Sequence, residues 1–120
     1  MRTLSGSYEV NIDRKRRASL PSKLIRQFGT RTFYLYPHNN QIDVLPEETY
    51  TKVLAAEGIS SLPAEDEKRQ SFCRRIEFVV LDDADRILFG EAALKELGSP
   101  PARTPLIVTG NIDRATFKRK

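Results

Sequence analysis

Tryptophan is absent from this sequence, and cysteine and histidine occur once each, as Cys73 and His38. One cysteine cannot close an internal disulfide, and Phe72 and Arg74 beside it do not suggest a metal site, so Cys73 is expected to be a half-buried, inert thiol. His38 falls in a predicted turn. With no Gly-rich phosphate loop and no metal-ligand spacing, the sequence argues against an enzyme, and no cofactor, metal or small-molecule substrate is expected. No apolar run approaches the roughly 20 residues of a membrane span, and Met1-Arg2-Thr3-Leu4-Ser5-Gly6 lacks the hydrophobic segment of a signal peptide. The expected location is the cytoplasm.

What the sequence does have is charge, unevenly spread. The net charge is +4 and the pI about 9.4. Residues 1–56 hold nine Lys/Arg against five Asp/Glu, residues 57–73 two against four, residues 74–98 four against six, and residues 99–120 five against one. The first part and the tail are basic. This local asymmetry bears on a polyanionic partner more than the net figure does.

Four consecutive cations stand in Ile12-Asp13-Arg14-Lys15-Arg16-Arg17-Ala18-Ser19-Leu20-Pro21, and parts of this stretch recur. Asp13 to Asp82, Arg17 to Arg86 and Gly29 to Gly98 are each 69 positions apart. Val10 and Ile12 map onto Val79 and Leu81 at the same offset, and Leu24, Ile25 and Phe28 onto Ala93, Leu94 and Leu97. Leu106 stands 73 positions after Phe33, which places a small insertion in Ser99 to Pro105. A fixed period of this kind is read as one supersecondary unit used twice. At 120 residues the two copies share one core, giving a single domain over residues 1–120 with a first repeat at 6–56, a connector with a short helix at 57–74 and a second repeat at 75–120.

Alternation in Tyr8-Glu9-Val10-Asn11-Ile12 predicts a strand ended by the turn chemistry of Asp13. Pro21 suits the first helical position, and the helix over 22–28 presents Leu24, Ile25 and Phe28 on one face before Gly29 closes it. Strands follow at 32–36 and 41–45 around a turn of Pro37-His38-Asn39-Asn40, then a helix over 47–56. A short helix is expected from Glu65 to about Phe72, and a strand over 75–81 in which Val79, Val80 and Leu81 are deeply buried. A helix over 91–97 with Gly98, strands at 106–109 and 114–117 and the turn between them complete the second copy. The fold class is α+β, mainly β, with short helices, and interleaving the copies into one small barrel is the economical solution.

Asp13-Arg14-Lys15-Arg16-Arg17 with Pro21, after Asn11-Ile12, closely resembles the Asp-x-Lys-Gly-Arg-x-x-x-Pro loop of the MraZ family of bacterial transcriptional regulators. Asp82, Arg86, the small helix and Leu106-Ile107-Val108-Thr109-Gly110-Asn111-Ile112-Asp113 resemble that family's second repeat, and the likeness covers about residues 6 to 118. Arg16 and Asp85 stand where the family usually has glycine, and Gly90 where its second copy has proline. The resemblance implies two tandem AbrB-type swapped-hairpin repeats in a pseudo-two-fold β-barrel. It further implies a cytoplasmic, nucleoid-associated regulator that assembles into a ring-like homo-oligomer and presents Asp-x-x-x-Arg loops to short repeated promoter elements of double-stranded DNA.

The two copies supply an internal comparison. Asp13/Arg17 and Asp82/Arg86 are shared, so Asp13, Asp82 and Arg86 are expected to structure the loops, each acid accepting backbone N–H groups and pairing with its arginine. Arg14-Lys15-Arg16 becomes Asp83-Ala84-Asp85 in the second copy. Adjacent cations on a tight turn repel one another and gain from a counter-charge, so Arg14, Lys15, Arg16 and Arg17 are the expected DNA contacts, with Arg17 also able to hold the loop. The acidic trio lacks the spacing of a calcium motif. Lys118-Arg119-Lys120 is expected to fray. Phe33, Tyr34 and Tyr36 lie in a core-like strand rather than among the cations, which disfavours RNA. The rival reading is a protein-binding module, antitoxin-like or an assembly scaffold, with only non-specific DNA affinity.

Overall fold

Strand pairing in this protein crosses between its two halves. The computed structural model describes residues 6–120, so the first five residues, and with them most of the N-terminal segment read above, lie outside the described residues. The elements run β1 (Ser7–Asn11), β2 (Arg17–Ser19), α1 (Ser22–Phe28), β3 (Thr32–His38), β4 (Gln41–Leu45), α2 (Glu47–Ala56), α3 (Glu67–Arg74), β5 (Glu77–Val80), β6 (Arg86–Leu88), α4 (Glu91–Glu96), β7 (Pro105–Gly110) and β8 (Ala115–Arg119). This is a small α+β domain, mainly strands, built on an antiparallel sheet.

The main sheet has the order β1-β7-β8-β4-β3-β5, and β2 pairs with β6 in a second, two-stranded sheet. β1 lies on the hairpin of the second half and β5 on the hairpin of the first. The order is palindromic: exchanging the halves turns β1 into β5, β7 into β3 and β8 into β4. Its centre is the β4–β8 pair, where Asp43 faces Thr116. In the small sheet, Ala18 faces Ile87 at the centre, with Arg17 opposite Leu88 and Ser19 opposite Arg86. Pairing between β1 and β5, which would close the main sheet into a barrel, is not seen among the described residues.

The core follows the sequence offsets. Ile12 and Leu81, Leu20 and Phe89, Phe33 and Leu106, and Leu35 and Val108 are buried in pairs. Where one half is small the other is large: Ala18 with Ile87, Ala93 with Leu24, Ala115 with Ile42. Neither half could fill its own interior with those alanines, so the core belongs to both. Each fully buried Leu, Ile or Phe contributes about 1.5–3 kcal/mol.

Several elements differ from their sequence reading. The strand β3 continues through Pro37 and His38, so the hairpin turn is only Asn39-Asn40, both left-handed at φ 52° and 60°. That is the geometry of a two-residue hairpin turn. Pro37 fits because β5 pairs with β3 only over Thr32 to Leu35 and asks nothing of residue 37. Pro21 caps α1 rather than opening it, its carbonyl accepting from Leu24 and Ile25 N–H. The helix α3 starts two residues later than read, because Asp66 is its cap and accepts from Lys68 N–H at 2.9 Å. Val80 is 61% exposed rather than deeply buried, since β5 is an edge strand whose side chains alternate. Cys73 is exposed, not half-buried: α3 turns Phe72 toward Tyr36, which leaves Cys73 outward. The basic tail is tied down rather than frayed, with Lys118 and Arg119 in β8 and Lys120 Nζ 2.7 Å from Glu9.

Candidate nucleic-acid interface

Asp13 ends β1 by folding the chain around its own carboxylate. Its Oδ1 accepts from Lys15 N–H at 2.9 Å and Arg17 N–H at 2.8 Å, and its Oδ2 from Arg17 Nε at 2.9 Å. The backbone closes the same turn through Arg16 N–H to Asp13 carbonyl and Asp13 N–H to Arg17 carbonyl. Arg16 sits left-handed at φ 64°, the place a glycine fills in a turn followed by a bulge. Burial would raise the Asp13 carboxyl's pKa, but these donors outweigh it and hold it below the ordinary carboxylate value.

The second loop repeats this geometry. Asp82 accepts from Ala84 N–H, Arg86 N–H and Arg86 Nε, each at 2.9 Å, and Asp85 is left-handed at φ 62°. The Arg86 N–H is the largest of the influences that hold the Asp82 carboxyl low. The loops then bind each other: Leu20 N–H donates to Asp85 carbonyl at 2.9 Å, and Phe89 N–H to Arg16 carbonyl at 3.0 Å. Arg17 Nη1 lies 3.6 Å from Asp82 and Arg86 Nη1 3.8 Å from Asp13. The four residues are one charge-balanced cluster spanning both loops.

The structure therefore separates the expected contact residues. Arg17 joins Asp13, Asp82 and Arg86 in the cluster. Arg14, Lys15 and Arg16 are exposed at the loop tip, and among the described residues their side chains form no hydrogen bond or ion pair. Three unpaired cations are thus held on a rigid turn at one end of the β2–β6 ladder, where Arg16 adjoins Phe89, while Asp83 and Asp85 occupy the other end, where Asp85 adjoins Leu20. That second tip is partly neutralised by Arg31, whose Nη1 is 2.8 Å from Asp85 and whose Nη2 donates to Asp82 carbonyl at 2.7 Å.

Two features escaped the sequence reading. Gly90 stands where the first repeat has Pro21, and its N–H donates to Glu77 Oε1 at 2.9 Å, a bond proline cannot make. The counterpart of Glu77 in the first copy is Tyr8, which asks for no such donor. The second feature is Asp43, buried at the centre of the β4–β8 pair. It accepts from Gln41, Arg114 and Thr116 and pairs with His38 Nε2 at 2.8 Å. Burial lowers Arg114, but its bonds to Asp113 and Asp43 leave it raised overall. A lone Asp within a strand gives no periodic signal, so only the pairing register reveals the network.

The aromatics of β3 are covered by the helices. Tyr34 stacks on Tyr50 of α2 with ring centres 4.1 Å apart, and Tyr36 packs against Phe72 of α3 at 5.3 Å and stacks on His38 of its own strand at 4.3 Å. The Tyr50 hydroxyl, taken out of water and set beside Cys73, is pushed up to about 12. Phe78, Val80 and Leu88 are instead about three-fifths exposed, around an open groove of about 530 Å³ between β5 and β6. Ile112, at the β7–β8 turn, is 95% exposed.

Among the described residues no group of three or more His, Cys, Asp or Glu side chains is placed to hold a metal ion, and no helix is long and apolar enough to cross a membrane. Comparison with protein-family models and with curated proteins finds no match to this chain.

Proposed function

We propose that this protein is a sequence-specific DNA-binding transcriptional regulator, a repressor that sits on the nucleoid and contacts short repeated promoter elements through its first Asp-x-x-x-Arg loop. The observation that carries this reading is the loop tip of Arg14, Lys15 and Arg16, whose turn is held by Lys15, Arg16 and Arg17 N–H bonds to Asp13 while its three cations are unpaired among the described residues. A turn held this way loses little entropy when it meets a phosphate backbone. The reading takes the two halves as AbrB-type swapped-hairpin repeats in a barrel of MraZ type, which the crossed strand pairing and the repeated loop geometry support.

One loop binds weakly, because three phosphate contacts give a slope of only about −3 in log affinity against log salt. Several loops on a homo-oligomer convert later contacts into intramolecular ones, raising avidity by roughly 10²- to 10⁴-fold where sites are spaced to match. Repeated sites and an oligomer belong together for that reason.

The test is fluorescence-anisotropy titration of labelled upstream and random duplexes at several salt concentrations. The wild type is expected to prefer upstream DNA with a steep salt slope. Arg14→Glu with Lys15→Glu should abolish binding, whereas Asp83→Lys with Asp85→Lys should not weaken it. Equal, weak binding by all three proteins would sink the reading and favour the protein-binding module, for which the exposed groove of Phe78, Val80 and Leu88 is the specific support.

A further inference from the structure

The insertion that breaks the 69-residue offset lies between α4 and β7, and it folds back against the basic loop. Its chain is fixed along its length: Ser99 N–H donates to Leu94 carbonyl at 2.8 Å, Pro100 and Pro101 stiffen the middle, and Thr104 N–H and Oγ1 both donate to Pro101 carbonyl. Arg103 N–H then donates to Ile12 carbonyl at 2.7 Å, and Ile12 N–H to Thr104 carbonyl at 3.1 Å. Ile12 is the residue immediately before Asp13. The backbone of Arg103 is thus hydrogen-bonded to the foot of the turn that carries Arg14, Lys15 and Arg16.

In the other half the position of Thr104, one residue after Arg103, is taken by an arginine, Arg31. There Leu81 N–H donates to Arg31 carbonyl at 2.9 Å, the counterpart of the bond from Ile12 to Thr104, and Arg31 spends its guanidinium on Asp82 carbonyl and Asp85. The first loop has no acid at its tip to hold Arg103. Among the described residues the Arg103 side chain forms no hydrogen bond or ion pair, and it is exposed. Its backbone is left-handed at φ 71°, a conformation that disfavours any side chain. A glycine would fit that backbone without strain, so the structure offers no packing or conformational reason for arginine there.

We infer that the connection of residues 99–104 is a second wall of the phosphate-binding surface, with Arg103 contacting a backbone phosphate beside those held by the loop tip. This rests on the nucleic-acid reading above and extends it to a segment outside the Asp-x-x-x-Arg loop. It also makes the surface one-sided: on the first loop the neighbouring arginine adds to the positive field, and on the second it is consumed in neutralising acids.

Phosphate contacts carry no sequence information, so a labelled random-sequence duplex is a sufficient probe. Arg103→Gly is the informative variant, because it removes the cation at a left-handed position that glycine accepts, and an unchanged thermal midpoint separates lost binding from lost folding. The salt slope is expected to become shallower by about 0.9, the share of one phosphate contact, while Arg103→Lys keeps the wild-type slope. Lys68→Ala, which removes an equal charge from the exposed side of α3, should leave the slope unchanged. If Arg103→Gly matches the wild type while Arg14/Lys15/Arg16→Ala flattens the slope, the second wall is refuted and the loop reading stands. If that triple variant leaves the slope untouched, the loop reading fails, and the second wall with it.

Discussion

Arg17 holds two carboxylates from different halves of the chain: its Nε is 2.9 Å from Asp13 and its Nη1 3.6 Å from Asp82. Arg86 mirrors it. A residue in this position acts on shape, and a residue at the tip acts on charge, so the two should be separable by experiment. Arg17→Ala is expected to lower the thermal midpoint, read by circular dichroism, and its effect should be non-additive with Asp82→Ala because the two share a cluster. Arg14→Ala should leave the midpoint unchanged and reduce only DNA affinity. Equal midpoints for Arg17→Ala and Arg14→Ala would remove Arg17 from the structural role.

The same cluster sets an acid limit. Asp13 and Asp82 both have carboxyl pKa values held below the ordinary 3.8, chiefly by donated backbone and arginine N–H groups. A group depressed on folding stabilises the folded state above its unfolded pKa and loses that contribution as pH falls through its folded value. Stability should therefore be flat in this respect near neutral pH and decline below about pH 4, where the unfolded chain takes up protons first. Denaturant midpoints measured between pH 6 and pH 3 should fall less steeply for Asp13→Asn/Asp82→Asn than for the wild type.

Much of this is legible in the sequence. The offset of 69 gave the two loops, their acids and their arginines, and the switch to 73 located the insertion that brings Arg103 to Ile12. The helices at 22–28 and 47–56 emerge where proline, acids and glycine place them. Strands β2 and β6 were invisible, because three residues carry no period and each is a strand only through the other. The buried pairing of Asp43 with Arg114 was hidden for a related reason: its members lie 71 positions apart and meet only once β4 and β8 are neighbours. Non-local pairing, not propensity, decided both.

Arg16 at φ 64° is a side chain in a glycine position. Releasing that strain is worth about 0.5–1 kcal/mol, so Arg16→Gly should raise stability in chemical denaturation by that amount while making the DNA salt slope shallower. Asp85→Gly relieves the same strain but also breaks the pair with Arg31, so its gain should be smaller. A destabilised Arg16→Gly protein would show that the arginine side chain holds the loop, contrary to the free tip described above.

Asp43 is the opposite case, a charge the fold cannot lose. It is 2% exposed and serves Arg114, Thr116, Gln41 and His38 together. Removing it takes an acceptor from Thr116 and Gln41 and one of two carboxylates from Arg114, which keeps Asp113, at a cost of about 1–3 kcal/mol. Asp43→Ala should cost that much in urea denaturation. His38→Ala should cost less, since the imidazole is about one-quarter exposed and water can replace part of its role.

Assembly is tested by the two apolar features that no helix covers. Ile112 projects from the β7–β8 turn at 95% exposure, and the groove of Phe78, Val80 and Leu88 opens between β5 and β6. They are different surfaces, so a contact between them in neighbouring copies would be heterologous, the groove of one subunit receiving the next subunit's turn. Such contacts propagate into rings when the rotation closes, which is the oligomer proposed here. Ile112→Lys and Leu88→Glu, one on each surface, should each lower the mass seen by light scattering after size exclusion, without lowering the thermal midpoint of the subunit. Binding to a duplex with a single site should survive in both variants, and the avidity gained on a duplex with repeated sites should disappear. An unchanged mass in both variants would place the oligomer interface elsewhere and leave the groove to a different protein.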